Sequence, residues 1–249
     1  VWNFTRTNNG EILNKGIEAL ISGRIISKIN FFWVSDFNFS VNRNEIVSYP
    51  DADGEGIPYE LDSNGKIGLT QLKNGESLGN FYGLQTDGIF ENQQELDEHV
   101  FNGNPIQPQA VVGDIKFVDQ NEDGSIDGDD RVVIGNAFPD AVFGLTNRFT
   151  YKSIELSVFL FSQVGNDVYN HTRSVLEGMT GDRNQTTNVL NRFQSPENPG
   201  DGNTPRATRY DNNYNRRPYT DRWVEDGSYL RIRNATLTYR VKSEYLNQK

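Results

Sequence analysis

The chain has 249 residues, 24 of them basic and 34 acidic, for a formal net charge of -10; 35% are hydrophobic and 12% aromatic. That balance excludes a nucleic-acid binder, whose affinity rests on Lys and Arg neutralising phosphates. No run approaches the roughly 18 apolar residues of a membrane-spanning helix, whereas a transmembrane β-barrel is compatible because its strands alternate apolar and polar residues. With no cysteine there is neither a disulfide framework nor a thiolate site, and His99 and His171 lie too far apart for a zinc spacing. The opening Val1-Trp2-Asn3 carries no signal peptide and starts in mid-pattern, which predicts a chain cut from a longer one.

Strand periodicity appears first around Ile17, Ala19 and Ile21, which lead through Ser22-Gly23-Arg24 into a longer run, a predicted hairpin. From Lys28 to Asn42 six of seven odd positions are apolar (Ile29, Phe31, Trp33, Phe37, Phe39, Val41) and six of eight even ones polar. A period of two held that long predicts one strand with a greasy and a wet face. Trp33, Phe37 and Phe39 could be a sandwich core or could face lipid. The length favours lipid, because globular strands usually run about five or six residues and tilted bilayer strands roughly 9–11.

The polar stretch Arg43 to Leu78 follows, and then Glu91 to His99, which reads either as a short helix or as a surface turn. At Asp119-Gln-Asn121-Glu-Asp123-Gly124-Ser125-Ile126-Asp127-Gly-Asp-Asp130, oxygen ligands occupy positions 1, 3, 5, 9 and 12, with Gly at 6 and the Ser125 carbonyl available at 7. This is calcium-loop spacing, with Asp at the last position in place of Glu. Flanking helices are missing, since Ile115 to Val118 and Val132 to Ile134 read as strands. The competing reading is an Asx-rich turn with solvated carboxylates. The expected metal ligands are therefore Asp119, Asn121, Asp123, Ser125, Asp127 and Asp130, and the expected ion is calcium.

Further along, Phe143, Leu145, Phe149 and Tyr151 are apolar at odd positions, and Ile154, Leu156, Val158 and Leu160 at even ones. A two-residue turn at Lys152-Ser153 predicts the pairs Tyr151 with Ile154, Phe149 with Leu156 and Leu145 with Leu160, so both apolar faces coincide. Phe159 and Phe161 break the pattern and point to an interior lining. Gln163 to Arg222 is a third long polar segment, in which Tyr169, Tyr210, Tyr214 and Tyr219 are either ligand contacts or loop packing. Leu230 and Ile232 are then even, and Ala235, Leu237, Tyr239 and Val241 odd. The slip at Arg233-Asn234 predicts a β-bulge or a strand boundary. Loops this long are uncommon in soluble domains and usual on the outer side of membrane barrels, which puts the Lys152-Ser153 turn on the periplasmic side. No histidine or carboxylate stands in a catalytic pattern, so no enzyme is expected.

Several segments together resemble one family. They are Gly113-Asp-Ile-Lys-Phe-Val-Asp-Gln-Asn-Glu-Asp-Gly-Ser-Ile-Asp127, Asp130-Arg131-Val-Val-Ile-Gly135-Asn136 with Pro139-Asp140, and Thr220-Asp-Arg-Trp223-Val-Glu-Asp-Gly-Ser-Tyr-Leu-Arg-Ile-Arg-Asn-Ala-Thr-Leu-Thr-Tyr239. Asn14-Lys-Gly-Ile-Glu18, Phe81-Tyr-Gly with Asp87-Gly-Ile-Phe90, and Tyr151 to Phe159 running on to Gly165-Asn166-Asp167 add to them. The order and content are similar to the SusC/RagA-type TonB-linked outer-membrane transporters. The resemblance implies an all-β, antiparallel transmembrane barrel segment, residues 1–249 being the C-terminal part of a barrel of about 22 strands. Plug, TonB box and last strands are missing from the matched motifs, which predicts a fragment ending at Lys249. The implied function is TonB-energised import of oligosaccharides or peptides across the outer membrane of a Gram-negative, Bacteroidota-type bacterium. The implied partners are a SusD-like surface lipoprotein acting as lid, TonB, and membrane lipid. The alternatives are a secreted, calcium-stabilised β-sandwich that binds glycan or protein, and a TonB-dependent receptor for a metal chelate.

Overall fold

A computed structural model of the chain describes residues 10–50, 57–58 and 68–241. Val1-Trp2-Asn3 and Lys249, on which the expectation of a fragment partly rests, lie outside the described residues. The chain divides into two units, one built from 1–48, 138–167 and 226–249 and the other from 49–137 and 168–225.

The first unit is one antiparallel sheet of five strands, in order β1 (Glu11–Lys28), β2 (Phe31–Ser48), β3 (Ala141–Tyr151), β4 (Ile154–Val164) and β5 (Tyr229–Tyr239). The Lys152-Ser153 hairpin has the register that parity dictates: Tyr151 faces Ile154, Phe149 faces Leu156 and Leu145 faces Leu160. Lys152 adopts the left-handed conformation, φ 52°, that lets two residues reverse the chain. The slip in β5 is a bulge: Phe159 faces Asn234 and Leu160 faces Ile232, leaving Arg233 as the extra residue.

The first hairpin corrects the sequence reading. The Ser22-Gly23-Arg24 segment is not a turn, because β1 runs through it to Lys28 and the reversal falls at Ile29-Asn30. Lys28 to Asn42 is accordingly not a single strand, since β2 begins at Phe31 and continues to Ser48. A bulge lies at Ile25, between the pairs Arg24–Val34 and Ile26–Trp33. It moves the apolar set of β1 from odd to even positions, so Ile26 faces Trp33 while Ile21, Ala19 and Ile17 face Phe37, Phe39 and Val41. A turn and a bulge both change parity by one residue, and the sequence signal is the same for either.

Pairing across all five strands gathers most of the aliphatic and aromatic side chains on one face, with Leu20, Val34 and Val142 among those on the other. That face stays open: Ile17, Ile21, Leu230, Ile232 and Leu237 are 66–73% exposed. On β2 it reaches from Phe31 to Val41 and ends at Arg43, close to the roughly 9–11 residues a tilted strand needs to cross lipid. Trp33 stacks on Phe149 at 5.5 Å and Phe39 lies 5.3 Å from Phe143. Its polar side chains include Ser35, Asn147 and Ser162; Asn147 accepts the Trp33 indole N–H at 2.8 Å and Ser162 donates to Tyr229 O at 2.9 Å, so Trp33, Asn147 and Ser162 are paired among hydrocarbon. Tyr151 and Tyr239 sit at the turn end, where amphipathic rings suit a membrane interface. Among the described residues no helix is long and apolar enough to cross a membrane.

The second unit has little regular structure, and side chains complete its backbone pairing. Ile115–Phe117 forms a short ladder with Thr86–Ile89. Its remaining groups are met by amides: Asn215 Oδ1 accepts from Ile115 N at 2.9 Å, Gln107 Oε1 from Phe117 N at 2.8 Å, and Asn213 Nδ2 donates to Ile115 O at 2.9 Å. These bonds let polar segments fold with an edge they cannot pair by strands. Beneath them Leu84, Ile89, Ile115, Phe117 and Phe193 form the core. The Glu91 to His99 segment is a helix, Gln93–Glu98, capped by Asn92.

Candidate functional site

The face of the sheet opposite the apolar one is polar and carries its own chemistry. Asp36 pairs with Arg148 at 2.6 Å. Phe161, unexplained by alternation, stands opposite Gly144, where a Cβ would come within 2.5 Å of the Asn38 side chain. The guanidinium groups of Arg231 and Arg233 lie 5.7 and 5.5 Å from the Phe161 ring, and Tyr229 lies 6.0 Å from it. The bulge brings Arg233 to this face. An aromatic surface flanked by cations is suited to brief contact with a passing polar or anionic solute.

In the second unit the six expected metal-ligand residues occupy one loop, and the side-chain oxygens of Asp119, Asn121, Asp123, Asp127 and Asp130 accept from its backbone. Asp119 accepts from Asp123 N at 3.2 Å and from Gly124 N at 2.8 Å. Asn121 accepts from Asp123 N, Asp123 from Ser125 N, and Asp127 from Asp129 N. Asp130, fully buried, accepts from Gln120 N and Asp127 N, both at 2.8 Å, and so closes the loop on itself. Gly124 takes φ 90°, and a Cβ there would come within 2.6 Å of the Phe101 ring. Among the described residues no group of three or more His, Cys, Asp or Glu side chains is arranged to hold a metal ion. We expect Asp130→Ala to cost about 2 kcal/mol, because a fully buried carboxylate and the two backbone hydrogen bonds that close the loop are lost together. Chemical denaturation followed by intrinsic fluorescence measures it, and a loss under about 0.5 kcal/mol would contradict this role.

Next to this loop, Arg131 donates to the carbonyls of Gly68 and Tyr82, and burial pushes its guanidinium below the usual range. Of the four tyrosines, Tyr169 donates its hydroxyl to the Pro218 carbonyl, and burial pushes it up to about 12. Tyr219 lies 5.6 Å from Arg131, while Tyr210 and Tyr214 are exposed. His99 packs edge-on to Phe90 at 5.2 Å, and burial pushes its imidazole below the ordinary 6.5. The unfolded chain therefore takes up the proton first. The contribution of His99 is complete above about pH 6.5 and declines as the pH falls from there towards the folded value. Melting curves at about pH 7.5 and 5.5 should show a loss that His99→Leu abolishes; an unchanged loss in that variant would exclude His99 as the source.

The residues that sequence reading passed over line a cavity of about 560 Å³ in this unit, among them Thr86, Arg173, Glu177, Asn191, Asp201 and Arg222. Glu177 is raised by burial but held below its ordinary value by hydrogen bonds from Arg173, Thr186 and Asn188. Trp223, 1% exposed, donates its indole N–H to Arg217 O at 2.9 Å and carries Arg222 on its ring at 4.5 Å. An Arg followed by a buried Trp in the Thr220 to Tyr239 motif was the available sequence signal.

An antiparallel sheet that is apolar on one face and polar on the other, with short turns at one end, defines a segment of β-barrel wall. The chain is similar along nearly its whole length to TonB-dependent receptors of the SusC type, and the resemblance drawn from its motifs is borne out. It is 31% identical over 97% of its length to TonB-dependent receptor P3 and 32% identical over 96% to TonB-dependent receptor P26, both of Formosa agariphila. It is 25% identical over 97% to TonB-dependent receptor SusC of Bacteroides thetaiotaomicron. It covers 22–23% of each of these relatives. The solved RagAB peptide transporter matches 97% of this chain with a TM-score of 0.67 at 19% identity, over 24% of its own chain, and shares the fold. No family model matches. These relatives are named as receptors and transporters, not as enzymes.

Proposed function

We propose that the chain forms part of the wall and outer loops of a TonB-energised importer of bulky nutrients, oligosaccharides or peptides, in the outer membrane of a Gram-negative, Bacteroidota-type bacterium. On this reading it is the C-terminal part of the barrel, works beneath a SusD-like surface lipoprotein, and draws energy from TonB. The observation that carries the proposal is the apolar face that runs from Phe31 to Val41 and across the four other strands, left open at Ile17, Ile21, Leu230, Ile232 and Leu237. In water such a face invites edge and face association; against lipid it is the stable arrangement. The polar face with Asp36, Arg148 and the Phe161 cluster then lines the aqueous passage, and Lys152-Ser153 is a periplasmic turn. The names of the relatives support the transport class. Purification tests it: the protein should require detergent for monodispersity and should bring down a SusD-like lipoprotein. A monodisperse, detergent-free protein would favour the sandwich, and detergent dependence with no lipoprotein would favour a chelate receptor.

Calcium at Asp119, Asn121, Asp123, Ser125, Asp127 and Asp130 is carried as part of this proposal, supported by ligand spacing. An ion would have to draw these oxygens away from the amides they now accept from. Chelation should then lower the melting temperature in the native protein and not in Asp123→Ala. An unchanged melting response to chelator removes the metal.

A further inference from the structure

We propose that the 560 Å³ cavity of the loop unit binds the carboxylate of an acidic saccharide, with Arg222 as the residue that takes it. Glu177 receives Arg173 Nε at 2.8 Å on one oxygen, and Thr186 Oγ1 at 2.7 Å and Asn188 Nδ2 at 2.9 Å on the other. Asp221 receives Thr86 Oγ1 at 2.7 Å and Thr86 N at 3.1 Å. Asp201 receives the backbone N–H groups of Asn203 and Thr204 at 2.9 and 2.7 Å, and Thr204 Oγ1 at 2.8 Å. Arg173 is shared between Glu177 and Glu225. Every acid on the wall thus has both oxygens engaged, and one of the two arginines is neutralised.

Arg222 is the group left over. Among the described residues it forms no ion pair, and its guanidinium makes one hydrogen bond, Nη1 to Asn215 O at 2.8 Å. Nε and Nη2 have no protein acceptor among the described residues, and together they are the fork that receives a carboxylate through two parallel bonds. Trp223 beneath the plane, at 4.5 Å, fixes the fork in one orientation. Burial, with the charge of Arg173 second, lowers this guanidinium to about 10; the carboxylates of Asp221, Asp201 and Glu177 oppose that lowering from a distance, and among the described residues none of them is its ion-pair partner. An incoming carboxylate supplies one.

The remainder of the wall says what carries that carboxylate. Asn191, the hydroxyl oxygens of Thr86 and Thr204, whose protons go to Asp221 and Asp201, and the Asn188 amide oxygen, whose Nδ2 goes to Glu177, leave acceptors on the wall, and Val189 is the one apolar side chain longer than glycine among the described lining residues. Sugar hydroxyls match such a surface, whereas apolar peptide side chains would need recesses that this wall lacks. In the sheet, taken by itself, Arg231 and Arg233 beside Phe161 likewise form no ion pair among the described residues. This inference rests on the import reading only in taking the ligand to be cargo.

Isothermal titration of the detergent-solubilised protein with digalacturonate, maltose and dialanine tests it. Digalacturonate should bind about tenfold or more tightly than maltose, as a bidentate charged contact requires. Arg222→Lys, which keeps the charge and loses the fork, should weaken it about tenfold, with Arg222→Gln weaker still and Asn191→Ala weaker by a few-fold. Melting curves establish that each variant is folded. Equal binding of maltose, tighter binding of dialanine, or an unchanged affinity in folded Arg222→Lys would overturn the proposal. Uptake that depends on TonB alongside a flat titration would remove this site and leave the import reading standing.

Discussion

Asp114→Ala is expected to cost about 3–5 kcal/mol, enough to unfold much of the loop unit, because it strips the partner from a buried charge. Asp114 is fully buried and receives Arg206 Nε at 2.7 Å, Asn215 Nδ2 at 2.8 Å and Val111 N at 3.0 Å. The side chain of Arg206 is only 30% exposed and would keep its charge with nothing to meet it. Asn215, which also caps Ile115 N, would lose its anchor, so the damage should spread into the core ladder. Asp114→Asn keeps the shape and one acceptor, and should cost less. Denaturant unfolding followed through Trp223 reads both. A cost under about 1 kcal/mol for the alanine variant would mean that this network is not what holds the unit together.

Leu160→Arg is expected to impair insertion and stability by about 2–4 kcal/mol, the cost of a cation near the middle of the lipid-facing wall. Leu160 lies between Leu145 and Ile232 on the apolar face, where a guanidinium would find no water and no acceptor. Thr146→Lys is its control on the other face. Thr146 faces Asp36 and Phe159, and a lysine there gains a carboxylate and keeps its solvent. Heat-modifiable migration and denaturant titration in detergent should separate the two. Equal tolerance of both substitutions would mean that the faces are not divided between lipid and water.

What could be read from the residues follows from how local each constraint is. The Lys152-Ser153 hairpin was readable because a two-residue turn leaves one register that aligns two greasy faces. The Arg233 slip was readable as an irregularity because one parity gives way to another within a single run. At Ser22-Gly23-Arg24 the same parity change, coupled to a Ser-Gly pair, imitated a turn. Only the pairing of Ile26 with Trp33 distinguishes a bulge. The loop unit was not readable, since Asn213, Asn215 and Gln107 satisfy backbone groups that no periodicity connects to them. Asn215, for instance, meets Ile115 from 100 positions away. Arg222 escaped notice for the opposite reason: its importance lies in a partner it lacks. The calcium spacing was plain in the sequence, yet spacing alone does not say whether carboxylates gather round an ion or cap their own turns.

The most direct measurement is which solvent meets each side of the sheet. This stretch has no cysteine, so single cysteines at Leu145, Leu237, Thr146 and Ser157 can be placed without removing any from it. Reconstituted in vesicles and spin-labelled, Leu145→Cys and Leu237→Cys should be relaxed by oxygen dissolved in the acyl chains and shielded from a water-soluble nickel chelate. Thr146→Cys and Ser157→Cys should show the reverse. Nickel access at Leu145 and Leu237 equal to that at Thr146 and Ser157 would contradict a wall set in a bilayer.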